Sequence, residues 1–188
     1  DIDLFFMWDL FNRVEHPGWS VQIHSNHCCS VSSTGIKVQR HDILEGANTA
    51  DAVLFAGGRG TRRVINDEPF LSAFNLDPER QLIGSMCSGA LILAALGLLE
   101  GKRATTYPTA RLELAKMGVH VVEEPFVCEG NVATAAGCLA AQYLVGWVLE
   151  ELLGEEAREK VLKQIQPVGQ GLLFNDFPAA FSAHASQL

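Results

Sequence analysis

Cys87 lies in the run Gly84-Ser85-Met86-Cys87-Ser88-Gly89-Ala90, directly after one apolar stretch, Gln81 to Met86, and directly before another, Ala90 to Leu99. A thiol at such a junction can serve as a nucleophile, because its thiolate attacks electron-poor carbon. Small residues on both sides are what a sharp strand-to-helix turn requires, since Cβ atoms would otherwise collide there. This is the nucleophile-elbow pattern with sulfur in place of a serine oxygen. A helix N-terminus offers partial positive charge and free N–H groups, so the spacing predicts a lowered pKa for Cys87.

A second glycine-rich turn, Gly57-Gly58-Arg59-Gly60, follows the apolar run Asp51 to Ala56. Ligands in open parallel sheets sit beyond the carboxyl ends of strands. The amides of Gly57 and Gly58, with that of Ser88, are therefore candidates to cradle developing negative charge. No Gly-Lys-Ser/Thr follows, so this is not a phosphate-binding P-loop, and no Rossmann fingerprint implies a dinucleotide. Arg59, Arg62 and Arg63 form a basic patch beyond the turn, read as a solvated helix start in preference to an anion site. His24, His27, Cys28 and Cys29 cluster without a familiar zinc spacing, so no metal is expected.

Positioning these residues falls to alternating strands and helices. Helical spacing of Leu4, Met7, Trp8 and Phe11 predicts a helix over 4–14. Strands are expected at Trp19 to His24, Ile36 to Val38, Asp51 to Ala56 and Gln81 to Met86, with a short helix at Pro69 to Phe74. The elbow helix should run from Ala90 to Leu99 and close at Gly101. Thereafter come a helix over 109–117, strands at 119–122, 126–128 and 132–134, an apolar helix over 138–153, and a charged helix over 155–165. The stripe Leu139, Tyr143, Leu144 and Trp147 is read as core or subunit interface, and the stretch from Pro167 as an extended tail. The pattern is one α/β domain with a mainly parallel sheet.

Composition sets the outer bounds. The chain has 188 residues, 48% of them apolar, with a formal charge of −8, so it is globular and lacks the basic surface that nucleic acid demands. Mean hydropathy is +0.14, yet no run approaches the roughly 18 consecutive apolar residues of a membrane span. Five scattered cysteines, an odd number, suit a reducing compartment, and the expected location is the cytoplasm.

Together, Gly57-Gly58, the segment 84–106 from the elbow to Ala104-Thr105-Thr106, and the run Glu129 to Gly137 resemble the ThiJ/PfpI family of the class I glutamine amidotransferase-like superfamily. The resemblance extends over essentially the whole chain and is nearest to the isocyanide hydratase and regulator-type branch. It implies a flavodoxin-like three-layer sandwich, no cofactor, a small-molecule substrate and a homodimer. It also implies an acidic partner for the thiol: Asp3 is the best match, with Asp1 as the fallback. Three departures stand out. Ser88 replaces the histidine that protease-like members carry after the cysteine, Phe6-Met7 replaces a Gly-Pro of hydratase-like members, and Tyr107-Pro108 follows Thr-Thr where many relatives have histidine.

The expected function is nucleophilic attack by Cys87 on a small electrophilic carbon, with Asp3 managing the proton. Its most concrete form is hydration of an isocyanide to an N-substituted formamide: attack on the terminal carbon, protonation at the nitrogen side, then release by water. Glyoxalase, deglycase or amide-hydrolase chemistry on the same thiol is the alternative, and a non-catalytic oxidation-sensing or regulatory role is the rival of another class. The resemblance places a strand before the acidic residue, so roughly ten further native residues are expected ahead of Asp1.

Overall fold

A computed structural model describes residues 1–168. Its elements, in order, are α1 (Ile2–Phe11), β1 (Cys29–Val31), β2 (Lys37–Gln39), β3 (Ala52–Phe55), α2 (Thr61–Val64), α3 (Glu68–Leu71), β4 (Leu82–Met86), α4 (Ala90–Ala95), β5 (Arg103–Ala104), α5 (Arg111–Lys116), β6 (His120–Val121), β7 (Phe126–Glu129), β8 (Val132–Ala135), α6 (Ala141–Leu153) and α7 (Glu155–Lys163).

The main sheet runs β3-β4-β8-β7. β3 and β8 both lie parallel to β4, with Phe55 opposite Ser85 and Met86 opposite Ala135. β7 returns antiparallel along β8 through the hairpin at Gly130, whose φ of 64° favours glycine. All five residues of β4 are buried, as a strand covered on both faces must be. Alternation then divides the interior. Leu82 and Met86 join α1 and α6 in one core, while Ile83 joins α4, α5 and Phe55 in the other. Gly84 has no room for a side chain, because a Cβ there would stand 2.8 Å from Leu144 of α6. α6 is buried from Ala141 through Leu149, and Trp147 packs against Phe126 at a ring separation of 6.4 Å.

Several expectations shift. Trp19 to His24 forms no strand ladder: it makes a single bridge, His24 to Asp42, and Trp19 donates its indole N–H to Phe11 O at 2.9 Å. The expected strand at Ile36 to Val38 becomes β2, whose hairpin partner β1 had no apolar signature. The elbow helix stops at Ala95, because Gly97 turns the chain with φ of 75°. The sheet is parallel in two of its three pairings. Of the stripe on α6, Tyr143, Leu144 and Trp147 are buried, whereas Leu139 is 61% exposed. The tail beyond residue 168 lies outside the described residues.

Among the described residues β3 pairs only with β4. Its other edge lines a cavity of about 950 Å³, bounded also by α1 and residues 18–25 and reaching Gly57 and Gly58 but not Cys87.

Candidate active site

β4 delivers Met86 in extended conformation, and the chain then reverses at Cys87, whose φ of 54° makes it the sole non-glycine in the left-handed region among the described residues. Such a conformation costs on the order of 1–3 kcal/mol and persists only where its surroundings enforce it. Three contacts do so. Thr106 Oγ1 donates to Cys87 O at 2.8 Å. Gly89 lies so close to β3 that a Cβ would stand 2.4 Å from Phe55 O. Gly57 closes the other side: a Cβ there would meet Cys87 Cβ at 2.6 Å, Asp3 Oδ2 at 2.7 Å and Met86 O at 2.8 Å. Gly57 is thus the shared neighbour of thiol and carboxyl, and its small size holds them together.

Asp3 sits in the first turn of α1, 6% exposed, with Oδ1 buried and unpartnered. An unpaired buried carboxyl oxygen is costly, while the other oxygen, Oδ2, lies on the side of Gly57 and Cys87. Asp1 points elsewhere: its Oδ2 accepts from Ser33 Oγ at 3.3 Å and Thr34 N at 3.1 Å, tying α1 to the β1–β2 hairpin. Of the two candidate acids, the fold brings Asp3 to the thiol.

The thiol's acidity runs opposite to expectation. Burial pushes the Cys87 pKa up, and the Asp3 carboxylate adds to it by charge and hydrogen bonding; the N–H and hydroxyl of Ser88 pull the other way without prevailing. The positive end of a helix with only six residues cannot offset the loss of water and a neighbouring negative charge. Ser88 therefore does supply an amide to the sulfur. Gly58 does not stand free for this task, since its N–H donates to Ser88 Oγ at 3.0 Å, and that hydroxyl can donate to Gly58 O at 3.1 Å. The single hydroxyl proton serves either Gly58 O or the sulfur.

A second thiol in the site escaped the sequence reading. Cys138 follows β8 through Gly137, at φ of 86°, and opens the turn that leads into α6. Because Ala135 is paired with Met86, the chain beyond β8 emerges beside the elbow. Burial and a hydrogen bond to Asp3 push the Cys138 pKa up to about 11, with the charges of Asp3 and Cys87 contributing. Among the described residues no group of three or more His, Cys, Asp or Glu could hold a metal. His24 Nδ1 lies 2.6 Å from Ile43 O, and Arg62 pairs with Glu113 at 2.8 Å. No helix among the described residues is long and apolar enough to cross a membrane.

Comparison with known proteins bears on the family and the fold. The profile of the DJ-1/PfpI family matches residues 1–151. An isonitrile hydratase of Pseudomonas putida is 30% identical over 72% of this chain, which spans 60% of that relative's length. The deglycase PH1704 of Pyrococcus horikoshii is 33% identical over 70% of this chain and 80% of its own. Among solved structures, a THiJ/PfpI family protein from Pseudomonas syringae superposes with a TM-score of 0.79 at 25% identity, covering 98% of this chain and 78% of that one. Schizosaccharomyces pombe DJ-1 gives 0.74 at 20% identity, covering 89% and 93%.

Proposed function

The chain belongs to the DJ-1/PfpI family, and from that premise we propose that it is an enzyme in which Cys87 attacks a small electrophilic carbon, with hydration of isocyanides as its reaction. The observation that carries this reading is the Cys87 thiol on a strained elbow, pressed through Gly57 against the buried carboxyl of Asp3. A thiol with a raised pKa is largely protonated at neutral pH, so it needs a base at the moment of attack. Asp3 is placed to be that base.

Atom balance fixes the order of events. Asp3 takes the thiol proton as Sγ bonds to the terminal isocyanide carbon, and the proton is then returned to that same carbon, giving a thioimidate. Here the chemistry refines the expectation of protonation on nitrogen, since the formyl hydrogen of the product resides on carbon. Water adds to the thioimidate carbon, the C–S bond breaks, Cys87 recovers its proton, and an N-substituted formamide leaves. The Ser88 N–H is available to the sulfur as charge shifts on and off it. The similarity to an isonitrile hydratase supports this choice of substrate, and the similarity to deglycases makes methylglyoxal the competing electrophile to test.

The experiment is direct. Reduced protein is incubated with cyclohexyl isocyanide, an aryl isocyanide and, separately, methylglyoxal, with Cys87→Ser as control. Formamide production that depends on Cys87 supports the reading. Unconsumed isocyanide with Cys87 intact overturns hydration, and turnover of methylglyoxal alone moves the activity to the glyoxalase class.

A further inference from the structure

Hydration uses one thiol, yet the site holds two. Cys87 and Cys138 leave adjacent parallel strands side by side, one residue past Met86 and three past Ala135, the pair that closes the β4–β8 register. Both thiols converge on one carboxyl, Asp3, whose Oδ1 has no partner. Both are partly accessible, so a small oxidant can reach them. The turn that carries the chain from β8 to Cys138, Ala136-Gly137, bears no side chain larger than a methyl group.

From this juxtaposition we infer that Cys138 is a resolving thiol for Cys87, making the site a reversible dithiol–disulfide couple that responds to hydroperoxides. The steps balance without a cofactor. A hydroperoxide transfers one oxygen to the Cys87 sulfur, giving the sulfenic acid and releasing water or an alcohol. Cys138 Sγ then attacks that sulfur; its proton passes to Asp3, hydroxide leaves and is protonated to water, and an S–S bond joins Cys87 to Cys138. A low-molecular-weight thiol restores both by exchange. The Asp3 carboxylate that keeps Cys138 protonated at rest is also the base beside it when the bond forms. Ionisation of that thiol is unfavourable at neutral pH, so the closing step quickens as pH rises. The biological sense is protective: the disulfide intercepts Cys87 before further oxygen makes it an irreversible sulfinic acid.

The inference rests on the reactivity assigned to Cys87, and the test separates the two. The full chain is treated with a small excess of hydrogen peroxide, alkylated, and digested at basic and acidic residues, which divides Cys128 from Cys138 at Glu129. The expected product is a Cys87–Cys138 peptide pair two hydrogens lighter than its parts and cleaved by a reducing thiol. In Cys138→Ser and in Cys138→Val, Cys87 instead gains two oxygens, and iodoacetamide still labels Cys87 in the reduced proteins. Wild-type protein in which Cys87 becomes the sulfinic acid while Cys138 stays alkylatable overturns the inference but leaves Cys87 as nucleophile. Failure of reduced Cys87 to react with iodoacetamide or peroxide at all overturns both readings.

Discussion

Gly57→Ala tests whether the thiol–carboxyl pair depends on the absence of one methyl group. Gly57 does not occupy the left-handed region, so alanine suits its backbone and the obstacle is space alone. The new Cβ would stand 2.6 Å from Cys87 Cβ, whereas carbon atoms rest about 3.5 Å apart, so roughly 0.9 Å must open. Met86 O, 2.8 Å away, belongs to the buried central strand and cannot yield, which leaves Cys87 and Asp3 to move apart. Overpacking of this kind costs about 1–3 kcal/mol, a fall in Tm of roughly 5 °C for a chain of this size. Displacing reacting groups by about 1 Å lowers a catalysed rate about a hundredfold. The assay pairs thermal denaturation with isocyanide turnover and with iodoacetamide labelling of Cys87 read by peptide mass. A variant that melts within a degree of wild type and turns over at an undiminished rate would refute the reasoning.

Two further outcomes follow from the charges around the thiols. Asp3→Asn removes a negative charge that raises the Cys87 pKa, so labelling of Cys87 against pH should shift its inflection downward, while isocyanide turnover falls by about 10²–10⁴ with loss of the base; an unmoved inflection would detach Asp3 from the thiol. Cys128 is pushed from the ordinary 9.0 to about 12, first by burial, then by Glu151 and Glu129. Its folded pKa exceeds its unfolded value, so the folded state keeps the proton more firmly and stability is lost as pH rises through the interval between them. At about pH 10.5 the loss is up to about 2 kcal/mol, and urea unfolding at pH 8 and pH 10.5 should show the difference between wild type and Cys128→Ala shrinking by that amount.

The elements that carry the site were legible because their residues speak locally. β3 is an apolar run that leads into Gly57-Gly58, β4 is a buried run of apolar and small residues that leads into Cys87-Ser88-Gly89, and Gly89 and Gly130 mark the elbow and a hairpin without reference to anything distant. β1 was invisible for the converse reason: Cys29-Ser30-Val31 is exposed at both ends, pairs only with an equally exposed β2, and owes its form to the turn at Gly35. Trp19 to His24 alternates as a strand does, yet alternation supplies no partner strand; the stretch is held beside His41 and Asp42 only at its end, where Ile23 O accepts from His41 N–H at 2.7 Å and a single bridge pairs His24 with Asp42. Cys138 needed knowledge of strand order. Nothing local distinguishes it from Cys128, but β8 lies beside β4, so the residue just past β8 arrives at the elbow. The direction of the Cys87 pKa was misjudged because the lowering was drawn from the helix N-terminus alone, with the helix taken to reach Leu99; that helix is short, and burial together with the Asp3 carboxylate prevails.

The left-handed backbone at Cys87 bears on how this protein would fare under selection. Glycine adopts that geometry without steric penalty, so the position proposed to perform the chemistry is also one where replacement by the smallest residue relieves the chain. A population selected for heat tolerance alone would meet a standing incentive to discard its nucleophile. A cysteine at such a position is what selection for the proposed reactivity, and not selection for folding, would favour.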